Sequence, residues 1–188
     1  MISKIQLLED SIRNTLGSVV WSHKIHEKEA DLILRKYKIL ETIKIISTSL
    51  TSAGIISLIF SNIFWVKFAT SFVSFVAIFI SAFFKSFTLQ EMVGIQSVTA
   101  KKLLEIREDL KLLILELRTG KIEFEAASND YRKIVKRLNE IYKDSPRTSD
   151  KAVEKARIAL NISKDNEITD KEVNLSLPKL LRKENIDE

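Results

Sequence analysis

Residues 21–28 read WSHKIHEK and hold both histidines of the 188-residue chain, His23 and His26, followed by Glu27. On a helix, side chains three and four places apart share a face, so these two imidazoles and the carboxylate have the spacing to converge on a divalent cation. The pattern is neither H-E-x-x-H nor H-x-x-E-H, and no second cluster of ligands accompanies it. Imidazoles titrating at about pH 6.5 would instead make a proton sensor. The plainest reading is structural, with each ring hydrogen-bonded to a polar group of a facing helix. The chain has no Cys, and neither a Gly-rich phosphate loop nor a nucleophile elbow occurs in it. It is expected not to be an enzyme, and no catalytic residue, metal ligand or cofactor is assigned.

The helix that must carry these residues has a clear pattern. Ile2, Ile5, Ile12, Leu16, Val19, Ala30, Ile33, Tyr37 and Leu40 fall on a line of alternating three- and four-residue steps, on which Glu9, His23 and His26 take the polar places. Such a line is the seam of a helix packed on another helix. Ser3 and Gln6 have the S-x-x-Q form of a capping box at its start. Gly17 offers a break, but no Pro, Gly or turn cluster lies between Ser18 and Ala53, so the helix is expected to run on into the next segment.

That segment is uncharged. No ionisable residue occurs from Ile45 to Val66 or from Phe68 to Phe84, with Lys67 alone between the two runs. About 20 such residues at 1.5 Å rise span the roughly 30 Å hydrocarbon core of a bilayer. A buried hairpin in a soluble protein would need an apolar sheath, which no other segment supplies. A cleaved leader is not expected this far into the chain. Lys24, Lys28, Arg35, Lys36, Lys38 and Lys44 precede the first span, Lys85, Lys101 and Lys102 follow the second, and Lys67 sits in the connector. The positive-inside rule then places both termini in the cytoplasm. The net charge of +5 reads as orientation and attraction to anionic headgroups, and sequence-specific nucleic-acid binding is not expected.

The spans lack the buried Asp, Glu, Arg or His that proton relays need. They carry hydroxyls and small residues instead: Ser47, Thr51, Gly54 and Ser61 near one face of the first, and Ser71, Ser74 and Ser81 of the second. These either pack the helices closely or line a pore formed when several hairpins associate, since two spans cannot enclose an aqueous path alone.

After the second span Leu103, Ile106, Leu110, Leu113, Leu117, Gly120, Phe124, Ala127, Tyr131, Ile134, Leu138 and Ile141 keep three-four spacing without a slip. This predicts a long heptad helix, or two stacked helices bending near Gly120. A Pro within a polar cluster, 144–149, marks the next boundary, and two short helices are expected beyond it, the second opening on a capping box at Thr169 to Glu172. The expected fold is an all-α membrane protein, a two-transmembrane hairpin with long cytoplasmic amphipathic or coiled-coil helices before and after it. Its parts are amphipathic helices (1–44), the hairpin (45–87), the heptad helix (88–143) and a small helical tail (144–188).

The order W-S-H-K-I-H-E-K-E-A-D, hairpin, L-L-E-I-R-E-D-L-K-L-L-I, then a tail with S-P-R-T-S and E-I-T-D-K-E-V resembles the SLATT family of two-transmembrane effector domains. The resemblance implies a bacterial inner-membrane effector of antiphage defence, found beside second-messenger synthases, sensors or reverse transcriptases, which breaches the membrane when triggered and stops growth of the infected cell. The family's H-K-x-H-E stretch would map onto His23, Lys24, His26 and Glu27, and it brings no catalytic role. The expected function is pore formation by a homo-oligomer in contact with membrane lipid. The alternative is a membrane-anchored module that recruits a cytoplasmic defence protein such as a reverse transcriptase.

Overall fold

The computed structural model describes residues 3–60, 63–86, 88–165, 169–178 and 181–182. Its helices are α1 (Lys4–Phe60), α2 (Phe64–Ser86), α3 (Leu89–Arg118), α4 (Phe124–Asp144), α5 (Asp150–Asn161) and α6 (Asp170–Ser176). No strand occurs among the described residues.

The first helix is 57 residues long, about 85 Å at 1.5 Å per residue. It opens on the expected capping box, with Ser3 N–H donating to Gln6 Oε1 at 2.9 Å and Gln6 N–H to Ser3 Oγ at 3.2 Å. Gly17 does not interrupt it, and there is no joint at residue 44: the N-terminal arm and the first span are one rod. Its three-four seam also continues beyond Leu40, through Lys44, Ser47, Thr51 and Gly54. Ile12, Val19, His26, Ala30, Ile33 and Ser47 are buried along this line. Ile5, expected on the seam, is 47% exposed. The reason is the length of its partner, since α3 ends opposite Glu9, which binds Arg118.

Both α2 and α3 run antiparallel to α1, one after the other. Thr51 meets Ser74 and Tyr37 meets Phe84 along α2, while His26 meets Gln96 and Glu9 meets Arg118 along α3. In the apolar windows of the two long helical segments only 6% and 13% of residues are buried, so their surface is not sheathed by protein as a soluble core helix would be. These segments are long and apolar enough to cross a bilayer. Lys67 lies inside α2, not in the connector, and its long stem lets the ammonium reach the interface.

The heptad line over 88–143 is two antiparallel helices. α3 ends in a Schellman turn, with Gly120 N–H donating to Leu117 O at 3.2 Å and Lys121 N–H to Glu116 O at 3.0 Å, and Gly120 takes the left-handed conformation at φ +66°. Three-four spacing survives this reversal, which is why the sequence reads as continuous. Leu103, Ile106, Leu110, Leu113 and Leu117 then share one core with Ala127, Ile134 and Leu138 of α4 and Ile12 and Val19 of α1, with Tyr131 packed against it. Phe124, on the same line, is half-buried at the start of α4. The heptad leucines thus bury their seam within one chain. α5 docks on α1 through Ala152, Ala156 and Ala159, all buried. Its first turn is fixed by Ser149, whose N–H donates to Glu29 Oε2 at 2.9 Å.

Gly17 and Gly120 both leave open space for a methyl group, so alanine there tests backbone conformation alone. Gly17→Ala should raise stability by about 1 kcal/mol and Gly120→Ala should lower it by at least about that much. Thermal melts of the detergent-solubilised protein would show shifts of opposite sign.

Candidate functional site

Two polar places of the α1 seam are met by polar groups across it, Glu9 by Arg118 and His26 by Gln96. His26 is buried, and its Nδ1 lies 2.6 Å from Oε1 of Gln96, itself only 2% exposed. Gln96 Nε2 donates to the Arg147 carbonyl at 3.2 Å. That second bond fixes the amide: its nitrogen faces a carbonyl, so its oxygen must accept, and His26 Nδ1 must carry the proton. A chain of hydrogen bonds, buried at His26 and Gln96, thereby ties α1, α3 and the α4–α5 linker together.

His23 is half-buried a turn away. Burial disfavours its charged ring and holds its pKa below 6.5, opposed by Glu27 and reinforced by Arg107, Lys24 and His26. Glu27 pairs with Lys24, its Oε2 2.8 Å from the ammonium and shielded from solvent without a well-angled hydrogen bond. Lys24, with a side chain only 10% exposed, also faces Asp165 Oδ2 at 3.7 Å, and Lys28 stands at the same distance from that oxygen. Asp165 follows α5, so this cluster latches the far end of α5 onto α1. Among the described residues no group of three or more His, Cys, Asp or Glu is placed to hold a metal ion.

In the hairpin, Ser47 is buried between the helices and Thr51, Gly54 and Ser74 lie half-buried at their contact. Ser74 Oγ lies 2.7 Å from Thr70 O and 3.2 Å from Thr51 Oγ1. A methyl group at Gly54 would stand 2.8 Å from Thr70 Cγ2, so the glycine sets how closely the spans approach. Ser71 and Ser81 are exposed instead, Ser81 donating to Ala77 O at 2.8 Å. Ser61 lies outside the described residues. An N-terminal rod whose seam turns from leucine-like to hydroxyl and glycine where it enters lipid, paired with a second apolar helix, is a two-transmembrane architecture. The profile of the SMODS and SLOG-associating 2TM effector domain family 4 matches residues 8–172. The chain belongs to this SLATT family. It is therefore a two-transmembrane effector domain of the kind associated with defence systems. No curated protein and no solved structure is found similar to the chain.

Sequence reasoning singled out the SLATT domain's histidines but missed Gln96, Glu29, Asp165 and the Arg147 carbonyl. Gln96 carried a signal: stepping back from Leu103 by four and then three residues reaches Thr99 and Gln96, so the amide occupies a polar place on its own seam, as His26 does. The other three lie outside any periodic line and are brought in by the docking of α5.

The depressed pKa of His23 has a sign in the stability of the protein. The folded state takes up this proton at lower pH than the unfolded chain, so the contribution is whole above about pH 6.5 and is lost as the pH falls through the folded value. His23→Gln should flatten that acid-side loss of melting temperature between about pH 7.5 and 5. Identical profiles for variant and parent would show that this ring does not titrate with folding.

Proposed function

We propose that this SLATT domain is a bacterial inner-membrane effector, both termini in the cytoplasm, that assembles into a homo-oligomer and permeabilises the membrane when a partner or signal of the defence system acts on its cytoplasmic helices. The observation that carries this reading is a hydroxyl-rich flank on a mostly apolar hairpin, which also exposes Ser49 on another face of α1 and Lys67 on α2. Thr48 and Ser52 are exposed on the side of α1 next to Thr51, and Ser71 and Ser81 on the side of α2 next to Ser74. Because Thr51 and Ser74 are bonded to each other, the two flanks adjoin.

Each of three flank hydroxyls donates to the carbonyl four residues back: Thr48 to Lys44 at 2.8 Å, Ser52 to Thr48 at 3.0 Å and Ser81 to Ala77 at 2.8 Å. Satisfied in this way, they are tolerated against lipid in a lone hairpin. Their oxygens keep lone pairs for water or ions when copies in a ring turn these flanks inward. Phe72 and Phe79, exposed on the remaining surface, would then meet lipid or neighbouring copies. Ser47 and Gly54 act differently in this reading, as packing residues within each hairpin.

The test is membrane-potential dye uptake during triggered expression. Thr48→Leu with Ser52→Leu and Ser71→Leu should cut depolarisation by roughly tenfold at equal membrane content, while Phe72→Leu with Phe79→Leu should leave it within about twofold. A parent that never depolarises the triggered cell sinks the pore reading and favours a hairpin that is only an anchor.

A further inference from the structure

Just below the level where α1 becomes fully apolar, α1, α3 and α5 leave a groove of about 620 Å³ between them, within the ~300–1,000 Å³ of ordinary ligand sites. Its wall is two-sided in chemistry. Ile39, Leu40 and Met92 give it an apolar floor, and Arg35, Lys36 and Lys151 stand around it. Ile39 and Met92 are 54% and 43% exposed, more than aliphatic side chains in a water-filled groove would favour. Glu29 also lines the groove, but its Oε2 is engaged by the N–H and hydroxyl of Ser149 at the start of α5.

The groove floor continues towards the hairpin. Stepping along α1 by threes and fours from Leu32 passes Lys36, Ile39, Ile43, Ile46 and Leu50, the last four exposed, so one apolar strip runs from the groove floor up the hairpin. Lys36 Nζ lies 5.3 Å over the Phe83 ring of α2, which fixes that ammonium at the border between charged arm and apolar span. The neighbouring cavity at Tyr37, Lys44 and Phe84 differs, since Glu41 and Glu91 line it.

We propose that the groove binds one anionic phospholipid of the leaflet that the hairpin enters. Its phosphate lies among Arg35, Lys36 and Lys151, and an acyl chain follows Leu40, Ile39 and Met92 up to Ile43. Three cations lining one groove beside the apolar span match an anionic headgroup, to which each contributes through its charge, while the aliphatic floor matches a chain that a free anion lacks. Lys151 belongs to α5, so the lipid also joins that helix to the membrane-proximal end of α1. The inference rests on membrane insertion of the hairpin and is independent of permeabilisation.

Native mass spectrometry of the delipidated full-length protein, titrated with phosphatidylglycerol or phosphatidylcholine of the same chains, tests it. The expected result is one phosphatidylglycerol retained per chain with about tenfold or greater preference, not displaced by inorganic phosphate. Arg35→Gln with Lys36→Gln and Lys151→Gln should abolish the preference, and Lys101→Gln with Lys102→Gln should keep it. Equal retention of the two lipids, an unchanged preference in the triple variant, or displacement by inorganic phosphate overturns the proposal. Vesicle flotation separates the two levels: lost preference in a protein that still floats refutes the lipid site alone, whereas a parent that fails to float with vesicles refutes membrane insertion and the lipid site together.

Discussion

A single face of α1 has to pack in water at one end and in lipid at the other, and the arrangement of every other helix follows from that. In the aqueous half, burial of apolar area is the driving force: Ile12 and Val19 pack against the leucines of α3, and Ala30 and Ile33 are buried further along the seam. In lipid, apolar burial gains nothing, because the surrounding chains are as oily as any partner helix. There the same seam becomes Ser47, Thr51 and Gly54, residues that let backbones approach and bond across, as Thr51 does with Ser74. The change of side chains along one unbroken line marks the change of solvent.

Within the aqueous half, between Val19 and Ala30, the seam turns polar, and the buried groups there find polar partners. His26 has the Gln96 amide, which has a backbone carbonyl of the α4–α5 linker, and Lys24 has carboxylates from two different elements. A buried polar chain is costly when any member is missing. Its effect here is to make α5 part of the bundle's register: the linker must lie where its carbonyl completes the amide, and Asp165 must reach the lysines of α1. What looks in the sequence like a metal-ligand trio is in the structure a point where three elements are indexed against one another.

Periodicity made the two long packing lines legible, and charge distribution made the hairpin legible. The capping boxes at Ser3 and at Thr169 stand as their residue types foretell, with Thr169 Oγ1 accepting from Glu172 N–H. Periodicity alone was blind to direction. Gly120 keeps three-four spacing between Leu117 and Phe124 while its positive φ turns the chain back, so a reversal reads as a continuous heptad. Pattern was equally blind to what faces a polar seam position, because Gln96 is far from His26 in the chain and only the antiparallel register brings them together. The basic groove escaped notice for a related reason: Arg35 and Lys36 lie on one helix and Lys151 on another, and no local window contains all three.

The absence of a joint in α1 governs what kind of movement can pass between the helical bundle and the hairpin. A helix of 57 residues with neither proline nor a kink at Gly17 behaves as a stiff shaft, bending only gently over its length. Torque applied at its base, where α3, α4 and α5 grip it, is delivered at its tip as rotation of the same sense. A turn of the rod by one residue's angle, about 100°, would carry Thr48 and Ser52 from one side of the hairpin to another without breaking a single backbone hydrogen bond in the shaft. Bundle and hairpin share one shaft, and any such turn would have to release the Thr51–Ser74 contact that now holds its tip against α2.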